Sequence, residues 1–132
     1  MVNGLYGLDL ASVCSLPAAS RYDLLVKESA RREAVWGLWA GNGWYTFTDS
    51  QGHELAPVWP GAEYAEAFGE TVNAAHEPRR MSLEYWMDNW VTSIMNKNCL
   101  VSVFPAPGDN GRVVTPVHLL MDVRTEASAY SY

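Results

Sequence analysis

Residues 34–68 read AVWGLWAGNGWYTFTDSQGHELAPVWPGAEYAEAF, and this stretch decides the predicted fold. It holds four of the six tryptophans of the chain. Short apolar and aromatic runs alternate with turn residues, which is typical of consecutive β-strands. The predicted strands cover 34–40, 43–48 and 53–59. A helix over 60–73 follows them, because Pro60 suits a first helical turn.

The turns within this stretch predict how its strands pair. Gly41-Asn42-Gly43 supplies the positive φ angles of a tight hairpin, and residues 49–52 form a second turn. Three strands joined in this way form an antiparallel meander. Pro57 lacks a backbone N–H, so the third strand is predicted to be an edge strand or to carry a bulge.

Helical periodicity predicts the flanking elements. Further helices are expected over 21–32, 82–96 and 115–126, capped by Ser20, Ser82 and Thr115. On the first of them Lys27, Glu28, Arg31 and Arg32 are expected to face solvent. The strongest apolar stripe comprises Leu83, Trp86, Met87, Trp90, Val91 and Ile94. In the last helix Val117, Leu120, Met121 and the stem of Arg124 are expected to face inward. Residues 73–80 are predicted to be a loop, and strands are predicted over 99–104 and 112–114.

The predicted order is therefore α-β-β-β-α-α-β-β-α. This is an α+β fold with an antiparallel meander of about four to five strands packed against helices. The chain of 132 residues fits a single domain, placed at 20–126. An irregular arm is expected over 1–19 and a flexible tail over 127–132.

Charge and composition restrict the function. The net charge is −6, which argues against a nucleic-acid surface because phosphate contacts require clustered Lys and Arg. No apolar run approaches the length of a membrane-spanning helix and no secretory signal is evident, so we expect a cytoplasmic protein with no membrane partner. Cys14 and Cys99 are interpreted as buried thiols, with a single disulfide as the alternative.

Known catalytic and metal-binding patterns are not found in the sequence. His53, His76 and His118 show none of the spacings of metal sites, and no cofactor motif occurs. Cys99 begins an apolar strand, where a thiol is more often inert core than a nucleophile. We therefore expect no metal, no cofactor and no catalytic residue.

An acidic row is the candidate binding surface. Between Glu33 and Pro78 the chain has seven acidic residues and no Lys or Arg. Glu63, Glu66 and Glu70 follow i, i+3, i+7 spacing on one face of the predicted helix. Trp59 and Tyr64 are the candidate aromatic anchors at its rim, since aromatic residues are frequent interaction hot spots. The alternative is an ordinary solvated helix face.

The sequence also resembles a bacterial family of small cytoplasmic proteins, the domain of unknown function 2750. The similarity covers about residues 20–125 and includes the 35–68 run, Ser82–Trp86 and Cys99–Phe104. Pro57-Val58-Trp59-Pro60 is its most specific match. The family has no established catalytic residues, so the resemblance implies an α+β fold and assigns no functional role to any residue.

These observations favour a non-catalytic protein that binds a basic protein partner through an acidic, aromatic surface, as an immunity or regulatory protein would. A small-molecule-binding protein or enzyme with a site near Cys99 and His118 is the alternative, and a housekeeping scaffold is the third. The oligomeric state is left open.

Overall fold

The computed structural model describes residues 9–72 and 76–129 and has a mixed α+β architecture with two sheets. The helices are α1 Leu10–Cys14, α2 Ala18–Arg32, α3 Ala62–Gly69, α4 Leu83–Tyr85, α5 Val91–Asn96 and α6 Pro116–Ser128. A π-helical segment, Trp86–Trp90, joins α4 to α5 without a break. The strands are β1 Ala34–Trp39, β2 Phe47–Thr48, β3 Glu54–Val58, β4 Glu77–Ser82, β5 Leu100–Val103 and β6 Arg112–Val114.

The predicted meander is only partly correct: β2 and β3 pair antiparallel as predicted, but β1 belongs to a different sheet. β1 pairs antiparallel with β4, whose residues were predicted to lie mainly in a loop. The second sheet has the order β2-β3-β5-β6, and its β3 and β5 are parallel. Of the predicted first hairpin, the structure keeps the bridge between Trp39 and Trp44 and the hydrogen bond from the N–H of Tyr45 to the carbonyl of Leu38, at 2.8 Å. Pairing with β1 makes 77–82 a strand although its residues have weak strand propensity, because tertiary context overrides local preference in sheets.

Pro57 is neither in an edge strand nor in a bulge, because β3 lies between β2 and β5. On the β2 side of β3, Leu55 is paired with Phe47. Further along the same side, Trp59 exchanges backbone hydrogen bonds with Trp36, at N···O distances of 2.8 and 2.9 Å. Backbone N–H and C=O groups point alternately to the two sides of a strand. The backbone of Pro57 therefore points to the gap between these two pairings, where no partner requires an N–H.

The turn after β1 has the expected positive φ at Gly41, where φ is 93°. The N–H of Ala40 donates to the carbonyl of Gly43, at 2.8 Å, and closes the turn. Gly43 does not have a positive φ, and a Cβ added there would meet open space. The requirement for glycine in this turn therefore applies to Gly41 and not to Gly43.

The first helices differ from the prediction in their bounds and in which side chains are buried. Residues 1–19 were predicted to be irregular, and residues 1–8 of this segment lie outside the described residues. In the rest of it, α1 occupies Leu10–Cys14 and α2 begins at Ala18, earlier than predicted. Glu28 was predicted on the wet side of α2 but is buried. It accepts a hydrogen bond from Arg31 at 2.6 Å and pairs with Arg32 at 3.0 Å, contacts that lower its pKa.

The central helical run largely follows its predicted stripe. The hydroxyl of Ser82 accepts a hydrogen bond from the N–H of Tyr85, at 3.1 Å, which confirms the predicted cap. Five of the six stripe residues are buried and Met87 is half-buried. The indoles of Trp86 and Trp90 stack at a centroid distance of 6.0 Å. This run provides much of the aromatic core.

Helix α6 has the predicted Thr115 cap but faces the core differently. Leu119 and Val123 are fully buried, whereas Val117 and Met121 are 43% and 52% exposed. Apolar residues occur on more than one face of this helix, so their spacing alone does not define the buried side. The helix also extends to Ser128, beyond the predicted start of the tail, of which 130–132 lie outside the described residues.

Candidate functional site

The five predicted binding residues do not form one surface. Glu63, Glu66 and Glu70 are exposed along α3 and at its C-terminal cap. Within the described part of the chain, none of the three carboxylates forms an ion pair within 4.0 Å. Trp59 and Tyr64, by contrast, are 0% and 1% exposed.

The burial of Trp59 and Tyr64 has a clear physical cause. The indole N–H of Trp59 donates to the carbonyl of Pro105 at 2.8 Å, so its polar atom is satisfied inside the core. The ring of Tyr64 packs against Phe104 at a centroid distance of 5.0 Å. Both aromatics therefore stabilise the fold, and the expectation that they anchor a partner at the rim of the acidic row is wrong.

A different group of aromatic and basic side chains lies on the β1–β4 sheet. We name it the aromatic–arginine surface, and it consists of Trp39, Trp44, Arg79 and Tyr85. Trp39 and Trp44 meet edge to face at 5.2 Å between ring centroids. The guanidinium carbon of Arg79 lies 4.2 Å from the centroid of the Trp39 ring. These distances are typical of favourable aromatic and cation–π contacts.

The register of β1 and β4 builds this surface. Trp39 is opposite Glu77 and Gly37 is opposite Arg79, so Arg79 is the diagonal neighbour of Trp39 on the same face. A Cβ at Gly37 would lie 3.0 Å from the Trp44 ring, which shows how closely that indole covers the strand. Arg79 also donates to Glu77 at 2.5 Å. Arg79 thereby contacts both the Trp39 ring and the Glu77 carboxylate.

Two cavities adjoin this surface. One has a volume of about 380 Å³ and the other about 290 Å³, and Trp39 and Arg79 line both. His76 contributes to the first cavity, whereas Tyr85, which is 45% exposed, contributes to the second. Trp39 and Trp44 are half-buried and Arg79 is 42% exposed, so apolar surface and a cationic group are both accessible here.

A second cluster lies between α2, β6 and α6. The hydroxyl of Tyr22 donates to Asp122 Oδ2, and His118 Nε2 lies 3.4 Å from the same oxygen. The guanidinium carbon of Arg112 lies 4.4 Å from the centroid of the Tyr22 ring. Burial, and then the hydrogen bond to Asp122, raise the pKa of Tyr22 well above its usual range. Tyr22 therefore stays a neutral hydrogen-bond donor near neutral pH.

The alternative site near Cys99 and His118 is not assembled as expected. Cys99 is buried, its sulfur lies 3.9 Å from the carbonyl of Lys97, and burial raises the pKa of the thiol. His118 instead joins the Tyr22 cluster. In the two described segments no hydrogen bond or ion pair links Cys99 to His118. Over the same residues, no group of three or more His, Cys, Asp or Glu is arranged to hold a metal ion.

Sequence reasoning missed Arg79, Arg112 and Asp122 as site residues. Arg79 fell in the predicted loop, so its position across from β1 was not predictable from local sequence. One usable signal was present on α6, where His118 and Asp122 are four residues apart on a predicted helix and therefore neighbours on its surface.

Comparison with known proteins gives a family but no individual relative. No curated protein and no solved structure shows a match. In the described residues, no helix combines the length and the apolar character needed to span a bilayer. The family model described as protein of unknown function (DUF2750) matches residues 22–123, which include both sheets and most of α6. The chain therefore belongs to the DUF2750 family.

Proposed function

We propose that this protein binds a protein partner through the aromatic–arginine surface. The observation that carries the proposal is the group formed by Trp39, Trp44 and Arg79, which is half-exposed and held by contacts within the fold. Trp, Tyr and Arg are the residue types most enriched in interaction hot spots. Side chains fixed before binding also lose less conformational entropy when the complex forms.

The chemistry of this surface indicates what the partner presents. The tryptophan rings and the two adjoining cavities accept an apolar or aromatic side chain. Arg79 pairs with Glu77, but its side chain is still 42% exposed. Arg79 is therefore the group of this surface that meets a carboxylate of the partner. An immunity or regulatory protein would act through such an interface, and we propose the bacterial cytoplasm as its compartment. The two cysteines, both free thiols, are consistent with a reducing environment.

The first prediction concerns Trp39. After the partner has been identified by affinity capture and cross-linking, Trp39→Ala is expected to raise the dissociation constant by about 30-fold or more, which corresponds to a hot spot of about 2 kcal/mol. Isothermal titration calorimetry on the purified pair measures this change. The matched control is Met95→Ala on α5, because Met95 is 45% exposed and lies outside the surface.

Trp39 is half-buried, so its replacement can also lower the stability of the fold. The thermal stability of Trp39→Ala and Met95→Ala is therefore measured alongside binding. Thermal unfolding shows whether Trp39→Ala remains folded at the temperature of the titration. Arg79→Ala offers a second test, since it removes the cation from the Trp39 ring. If a folded Trp39→Ala protein and a folded Arg79→Ala protein both bind as tightly as the Met95→Ala control, the aromatic–arginine surface is not the interface.

The acidic row on α3 supports a second candidate, the binding of a basic protein. Glu63, Glu66 and Glu70 are exposed, and the described structure gives them no ion pair. Exposed like charges in one row attract a partner of opposite charge and increase the association rate. This candidate differs from the first in predicting strong salt dependence, because such charges are screened over about 10 Å at 0.1 M salt.

The second prediction tests this row. Reversal of all three glutamates to lysine is expected to lower the association rate constant by about tenfold at low salt and much less at high salt. Stopped-flow fluorescence with the identified partner measures both rates. The fold should remain intact, because exposed charges contribute little to stability. A control that reverses Glu84 and Asp88 changes the net charge elsewhere. If both variants lower the association rate constant equally, the acidic row on α3 is an ordinary solvated helix face and does not bind the partner.

A further inference from the structure

We propose that the cleft between α2, β6 and α6 binds a small zwitterion, a molecule of amino-acid size that carries both an ammonium and a carboxylate group. This inference concerns a different face of the protein and does not depend on the proposed partner binding. The cleft has a volume of about 330 Å³ and is lined mainly by Tyr22, Asp23, Lys27, Arg112, Asp122 and Glu126. A cavity of this size fits a small ligand.

The charged groups of the cleft are not paired with one another. Lys27 and Arg112 supply positive charge, and Asp23 and Glu126 supply negative charge, yet no ion pair within 4.0 Å joins them across the described residues. Asp23 and Lys27 are four residues apart on α2, a spacing that permits a helix ion pair. Charges of both signs thus face one cavity without neutralising each other, which favours a ligand that carries both signs.

The positive side of the cleft suits a carboxylate. Arg112 is held over the Tyr22 ring and, in the part of the chain described, forms no ion pair with a carboxylate. The guanidinium edge therefore keeps its donors for a ligand, and a planar guanidinium can bind a carboxylate with two parallel hydrogen bonds. Lys27, exposed on the neighbouring helix, adds a second positive charge.

The negative side suits an ammonium group. Asp122 Oδ2 is occupied by the Tyr22 hydroxyl and faces His118, so the carboxylate is fixed in orientation while its other oxygen can accept a hydrogen bond. Tyr22 keeps its proton, and this contact therefore does not place a second negative charge beside Asp122. Glu126 lies one turn further along α6 and lines the same cleft.

Calorimetry and amide-resolved NMR titration test the proposal with defined probes. The zwitterions are the common L-α-amino acids, glycylglycine and 5-aminopentanoate, and the singly charged analogues are pentanoate and pentylamine. We expect saturable shifts at amides of α2, β6 and α6 with at least one zwitterion, and binding at least about tenfold weaker with the analogue lacking either charge. Absence of saturable binding by every zwitterion, or equal binding of a singly charged analogue, would overturn the proposal.

Three variants locate the site, and a fourth is the control. Arg112→Gln and Glu126→Gln each remove one charge from the cleft and are each expected to weaken zwitterion binding about tenfold. Arg124→Gln removes an exposed arginine of α6 that does not line the cleft, and it should bind like the wild type. Arg112→Lys keeps the charge and should retain part of the affinity. If Arg112→Gln and Glu126→Gln bind like Arg124→Gln, the ligand does not occupy this cleft.

Discussion

Replacement of Trp90 by alanine is expected to lower the free energy of unfolding by about 3–5 kcal/mol. Trp90 is 2% exposed and stacks on Trp86 at 6.0 Å, inside the helical run that carries the central apolar stripe. Its removal loses the burial of a large aromatic side chain and leaves a cavity that the Trp86 ring and the surrounding core cannot fill without rearrangement. Equilibrium unfolding in urea, followed by far-ultraviolet circular dichroism, measures the change.

The matched control is Met95→Ala, which shortens an exposed side chain on the adjoining helix α5. It should change the free energy of unfolding by less than about 0.5 kcal/mol, as surface substitutions usually do. A loss below about 1 kcal/mol for Trp90→Ala would contradict the position of Trp90 in the core.

Replacement of Arg21 by alanine is expected to cost about 3 kcal/mol. Arg21 is 1% exposed; its Nε donates to the carbonyl of Phe104 at 2.9 Å and its Nη1 to the carbonyl of Leu16 at 2.5 Å. Its Nη2 is 3.3 Å from Asp109 Oδ2, within ion-pair range although the hydrogen-bond geometry is poor. The alanine variant leaves the carbonyls of Phe104 and Leu16 without their charged donor. It also removes a hydrogen bond that holds Phe104 at a φ of 52°, which is unusual for a non-glycine residue.

Asp109→Asn separates the contribution of the Arg21–Asp109 ion pair from that of the hydrogen bonds between Arg21 and the two carbonyls. Asp109 is half-exposed, so its ion pair with Arg21 is partly screened by solvent and its loss should cost less than about 1 kcal/mol. Urea unfolding of both variants under the same conditions gives the comparison. Equal losses would mean that the carbonyl contacts of Arg21 contribute nothing beyond the ion pair.

Local sequence signals predicted most of the helices and strands. The caps at Ser82 and Thr115, the stripe through Trp90 and the strands β1, β3, β5 and β6 all depend on residues close in sequence. β4 was missed because EPRRMS shows no apolar alternation, and within it only Met81 is buried. Its strand character comes from pairing with β1, more than 30 residues earlier, which no local pattern encodes.

The candidate sites were harder to predict for the same reason. Trp39 and Arg79 meet only because β1 and β4 pair, and Tyr22 meets Asp122 only because α2 lies beside α6. The acidic row on α3 was predictable because its spacing depends on a single helix. The burial of Trp59 was not, since the indole and the Pro105 carbonyl that satisfies it are 46 residues apart.

The pairing of β1 with β4 also bears on how the chain folds. In sequence order β1 precedes β3, and β4 precedes β5, so the β1–β4 and β3–β5 pairings interleave. Each loop that one pairing closes contains a strand required by the other, and each closure has an entropic cost before its contacts form. Residues 34–82, which hold the complete β1–β4 sheet, also contain β2 and β3 of the other sheet. We therefore expect a single cooperative folding transition, slower than that of helical proteins of this length, which measured folding rates would show.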